Sequence, residues 1–70
     1  MPIAQIHIIE GRTKEQKRSL IKEVTEAIHR STGTDHDRIR VLLYEIPDEN
    51  WAAGGISKAD EKLKKKMTAP

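Results

Sequence analysis

Two apolar, strand-like runs separated by one amphipathic helix constrain this chain more than any other feature. The first run, IAQIHII, spans residues 3–9, and the second, IRVLLYEI, spans 39–46 and is stopped by Pro47. Strand alternation puts Ala4, Ile6 and Ile8 on one face, and Ile3, Gln5, His7 and Ile9 on the other. Between the runs, TKEQ (13–16) is a capping box: the Thr13 side chain can cap while Gln16 reaches back to its amide. Leu20, Ile21, Val24, Ala27 and Ile28 then recur at helical spacing and form one stripe for burial. His29 and Arg30 suit the negative end of the helix, and Gly33 suits the position just beyond it. A strand, a helix of about five turns and a second strand make a right-handed β-α-β unit with parallel strands. We read the fold class as α+β, a β-α-β unit with a short C-terminal arm. The Gly-Gly pair in DENWAAGGIS predicts a short hairpin or looped arm. We expect residues 1–57 to form the domain and 58–70, with its lysine run EKLKKK (61–66), to be a frayed or partly helical tail.

Such a unit is incomplete by itself. One helix covers one face of a two-stranded parallel sheet, whereas parallel sheets are normally buried on both sides. The open edge also invites pairing with another chain. Seventy residues without cysteine or phenylalanine, and with one tryptophan and one tyrosine, give a small core with no disulfide staple. The three histidines, His7, His29 and His36, lack the spacing of a zinc site. His7 reads as a structural or interface residue. Self-association into a homo-oligomer is the expected remedy.

A net charge of +2 without interleaved aromatics argues against nucleic acid as a partner. The lysine run reads as a solvated face. No apolar stretch approaches the roughly 18 residues that a membrane span needs, and no secretory signal opens the sequence. The expectation is a cytoplasmic protein without membrane or nucleic-acid partners.

Three residues could carry chemistry. Pro2 follows the initiator methionine; removal of Met1 would leave a free secondary amine, which is a base, whereas the plain alternative is a proline that starts a strand. Arg12 stands before the helix cap, where unpaired amides and a guanidinium together favour an anion. Arg40 lies in an otherwise apolar run, which means an exposed face, a salt bridge or a ligand. A strand of about seven residues at roughly 3.3 Å each separates Pro2 from Ile9 by more than about 20 Å. Pro2 and Arg12 of one chain therefore do not share a small ligand, and any cooperation between them crosses a subunit interface.

PIAQIHIIEGRTKEQK, the helix segment IKEVTEAI, the IRV strand and the NWAAGG segment together resemble the 4-oxalocrotonate tautomerase family of small β-α-β enzymes. The resemblance runs from Pro2 to about Ser57 and leaves out the lysine-rich tail. It implies that Pro2 is a general base and then acid, and that Arg12 holds the distal carboxylate of a dicarboxylate. It implies that Arg40 binds the 2-oxo acid end and stabilises enolate charge, that the Ile9 main-chain amide orients substrate, and that Trp51 lines an apolar pocket. It implies no metal and no cofactor, a small 2-oxo acid or dicarboxylate substrate, and a hexamer with sites shared between chains.

The residues are compatible with that chemistry. An α-amino group titrates at about 7.7–8.0 in peptides, and nearby guanidinium charge and an apolar wall disfavour its protonated form. A base adjusted toward ambient pH suits proton abstraction beside a carbonyl. Some relatives hydrate or dehalogenate haloacrylates with an added first-strand arginine and an arm glutamate. Ile9 and Ala53 occupy those positions here and can do neither, so tautomerisation of a 2-hydroxy-dienoate such as 2-hydroxymuconate is favoured. Trp51 in place of a phenylalanine alters the pocket. The alternative is a non-catalytic oligomeric module that keeps the fold and captures anions.

Overall fold

The computed structural model describes residues 2–68 of the chain. Strand β1 (Ile3–Ile9) runs into helix α1 (Lys14–Thr32), which returns the chain to strand β2 (Arg40–Ile46). β1 and β2 pair in parallel, with Ile3 opposite Arg40, His7 opposite Tyr44 and Ile9 opposite Ile46. A hairpin arm follows, with β3 (Ala52–Ala53) antiparallel to β4 (Ile56–Ser57), and helix α2 (Lys58–Thr68) comes last.

Local chemistry accounts for these boundaries. The capping box is present: Gln16 N donates to Thr13 Oγ1 at 3.1 Å, and Thr13 N donates to Gln16 Oε1 at 2.9 Å. At the other end Gly33 is left-handed (φ 76°) and its N–H donates to the His29 carbonyl at 2.9 Å. The turn of the arm needs two successive positive φ values, which Gly54 (61°) and Gly55 (83°) supply without a Cβ penalty.

The sheet divides as alternation requires. Ala4, Ile6, Ile8, Val41 and Leu43 are half-buried toward α1, where Leu20, Val24, Ala27 and Ile28 are also half-buried. Lys17 on α1 pairs with Glu45 on β2 at 2.9 Å, which ties the first turns of the helix to the sheet. On the opposite face Ile3, Leu42 and Tyr44 are exposed, with the Tyr44 ring stacked on His7 at 4.9 Å. The accessible surface is 5619 Å², against the roughly 4,400 Å² that size scaling gives for a compact chain of this mass. Among the described residues only Ile39 is a buried hydrophobic.

Two local expectations are revised, and of the two readings of the tail the helical one holds. Ile21 belongs to the periodic stripe but is 39% exposed, because two strands are too narrow to cover the whole apolar arc of a helix. Ile39 does not open β2; it closes a 3₁₀ turn at His36–Arg38. The lysine-rich segment is one continuous helix from Lys58 to Thr68. Ser57 caps it by accepting from Asp60 N at 3.1 Å, and Lys62 ties it back to Asp48 at 3.2 Å. Residues 69–70 of the expected tail lie outside the described residues.

Candidate active site

Parallel pairing puts the start of both strands at one end of the sheet. Arg40 N there donates to the Pro2 carbonyl at 3.1 Å, so residues far apart in the chain become backbone neighbours. The Pro2 nitrogen takes no part in that bond. The Arg40 side chain is exposed, and its Nη1 donates to the Asp37 carbonyl at 2.8 Å. A neutral acceptor orients a guanidinium without cancelling its charge. Among the described residues no carboxylate forms an ion pair with Arg40 or with Arg12, so both cations are free to meet an anion.

Arg12 lies at the far end of β1, between Gly11 and the Thr13 cap. It lines an open cavity of about 230 Å³ with Ile8, Gln16, Lys17 and Leu20. Ile8 and Leu20 make part of the lining apolar, and among the described residues Arg12 is its unpaired cation, since Lys17 is paired with Glu45. Ile9 ends β1 at this same end, half-buried. Within one chain the strand length keeps Arg12 and Ile9 about 20 Å from Pro2 and Arg40. The chain thus groups Pro2 with Arg40, and Ile9 with Arg12. Trp51, 36% exposed, enters the arm, its carbonyl accepting from Lys58 N at 2.7 Å. Ala53 is exposed in β3.

A polar cluster that sequence reasoning missed sits behind Arg40. His36 Nε2 lies 3.0 Å from Glu26 Oε1, and the His36 ring stacks on His29 at 4.0 Å between centroids. Hydrogen bonding to His36 holds the Glu26 carboxyl below the usual carboxylate range. Zinc-type spacing was the wrong signal to seek, because the histidines meet across a helix terminus and a turn. Among the described residues no group of three His, Cys, Asp or Glu side chains could hold a metal ion. Nor is any helix among them long and apolar enough to cross a membrane.

A β-α-β unit of this size, finished by a hairpin arm, has the architecture of the small tautomerase-fold isomerases. The sequence profile of the family described as "Tautomerase enzyme" matches residues 2–61. A 2-hydroxymuconate tautomerase of Stutzerimonas stutzeri is 53% identical over 57 residues, covering 81% of this chain and 90% of that protein. The structure of a 4-oxalocrotonate tautomerase isozyme from Methylibium petroleiphilum superposes with a TM-score of 0.83 at 45% identity, covering 86% of this chain and 97% of its own. A heterohexamer 4-oxalocrotonate tautomerase from Chloroflexus aurantiacus gives a TM-score of 0.82 at 32% identity, with 86% and 97% covered. The chain belongs to the tautomerase family and is an isomerase.

Proposed function

We propose that this tautomerase interconverts the enol and keto forms of a 2-hydroxy-dienoate or related 2-oxo acid such as 2-hydroxymuconate. Pro2, freed by removal of Met1, takes the proton from a dienol hydroxyl or an α-carbon. The same nitrogen returns it elsewhere on the conjugated system, so no atom is gained or lost. Arg40 meets the 2-oxo acid end and the oxygen on which negative charge grows. Arg12 and the Ile9 amide, from another copy, hold the distal carboxylate and orient the substrate, and Trp51 supplies an apolar wall. The observation that carries this reading is the backbone pairing of Pro2 with Arg40 at one end of the sheet, where Arg40 N donates to the Pro2 carbonyl. The 2-hydroxymuconate tautomerases among its relatives support the substrate class. Processed protein should ketonise 2-hydroxymuconate with saturation kinetics, followed by loss of dienol absorbance. Binding of dicarboxylates without turnover would identify an anion-capturing module instead.

The active species is a homo-oligomer, most simply a hexamer. The exposed sheet face of Ile3, Leu42 and Tyr44 needs a cover, and the strand length separates the two halves of the site. Light scattering at micromolar concentration should give about six times the 8.0 kDa chain mass. A stable folded monomer would contradict both the cover and the shared site.

A further inference from the structure

We infer that Glu26, His36 and His29 position Arg40, working through the carbonyl of Asp37. This inference rests on the role given to Arg40 above. The connection is continuous from α1 to the guanidinium. Glu26 and His29 stand on α1, a 19-residue helix capped at both ends. His29 Nδ1 donates to the Thr34 carbonyl at 2.7 Å, which fixes the ring against the chain leaving the helix. The His36 imidazole lies on that ring, with 27° between the planes, and its Nε2 donates to Glu26 Oε1 at 3.0 Å. His36 opens the 3₁₀ turn, which is closed by Arg38 N to the Asp35 carbonyl at 3.0 Å and Ile39 N to the His36 carbonyl at 3.2 Å. Ile39, 7% exposed, anchors the turn from its other end.

Asp37, in the middle of this turn, uses its carbonyl to accept from Arg40 Nη1 at 2.8 Å. A guanidinium is a planar fork whose reach to an anion depends on its orientation. Fixing one N–H on a main-chain oxygen sets that plane and leaves the remaining donors for substrate. The position of the oxygen follows the turn, and the turn is held to the helix by His36. The Glu26–His36 pair is exposed, with side-chain accessibilities of 38% and 51%, so it contributes little to global stability. Its placement is better explained by the orientation it imposes, since small misplacements of a positioning group carry large rate penalties.

The experiment measures ketonisation by the processed full chain carrying His36→Ala, in the wild-type and in the Arg40→Ala background. His36→Ala should lower kcat about three- to tenfold and leave the thermal midpoint nearly unchanged. In the Arg40→Ala background it should change kcat hardly at all, because the group being positioned is gone. Glu26→Ala should reproduce the loss from the other partner. His36→Gln, which keeps an N–H donor for Glu26, should recover most of the rate. Equal proportional losses with and without Arg40 would mean a general structural role and overturn the inference. A fully active His36→Ala alongside an impaired Arg40→Ala would overturn the positioning role alone. A fully active Arg40→Ala would bring down the role of Arg40 and this inference together.

Discussion

Protein that keeps Met1, or whose terminus is acylated, should lose nearly all of its ketonisation activity while remaining folded. With a residue attached, the Pro2 nitrogen is an amide whose lone pair is delocalised into the carbonyl, and it cannot accept a proton at neutral pH. Removing a positioned general base costs about 10²–10⁴ in rate, and a loss in that range is expected here. The fold should not notice, because Pro2 joins the sheet only through its carbonyl, which accepts from Arg40 N. For processed protein, kcat/KM should rise with pH through one ionisation, because the protonated amine is inactive and deprotonation makes the base. That ionisation should fall below the 7.7–8.0 or so of peptide α-amino groups where a guanidinium of the proposed site faces the amine and penalises a second cation. Pro2→Ala keeps an amine, but a primary and less confined one, so its activity should fall without vanishing. The comparison requires both species at verified mass, assayed on one substrate. Equal rates would mean that Pro2 merely starts a strand.

Arg40→Ala and Arg12→Ala should differ in kind. If Arg40 has the proposed role of meeting charge that grows in the transition state, its loss should lower kcat by about 10²–10³, the range for removing one oxyanion donor. Arg12, in the role proposed for it, anchors the end of the substrate away from the chemistry. Its loss should raise KM for a dicarboxylate about 10- to 100-fold, as expected of a charge-assisted hydrogen bond, with kcat little changed. A monocarboxylate should be nearly indifferent to Arg12→Ala. Neither arginine pairs with a carboxylate among the described residues, so both variants should fold. Steady-state constants on one dicarboxylate and one monocarboxylate decide the matter. Small, equal losses in both variants would abolish the division of roles.

What the sequence determined by itself is the set of features governed by neighbours a few residues apart. The Thr13–Gln16 box, the Gly33 cap and the Gly54–Gly55 turn each depend on contacts within about one helical turn or one tight turn, and each forms as its residues predict. The alternation along β1 is equally local and identified its two faces from Ile3 to Ile8, while Ile9 at the strand end is half-buried rather than exposed. The two strand–helix transitions required parallel strands, because no short turn can join them. The candidate residues were legible for a different reason: their order along the chain resembles that of one family.

Only the tertiary structure decided which of those residues meet. Register pairs Ile3 with Arg40 and so seats Arg40 beside Pro2, while Arg12 stays at the other end of the sheet. Hydrophobic spacing says which face is apolar, but not how much of it a two-stranded sheet can cover, hence the exposed Ile21. The Lys58–Thr68 helix draws on the Ser57 cap and the Lys62–Asp48 pair, neither of which a lysine-rich composition announces. The Glu26–His36–His29 cluster, and the Asp37 carbonyl that holds Arg40, exist because a helix end, a turn and a strand start are folded against one another. Contacts of that kind depend on relative orientation in three dimensions, which residue spacing along the chain does not encode.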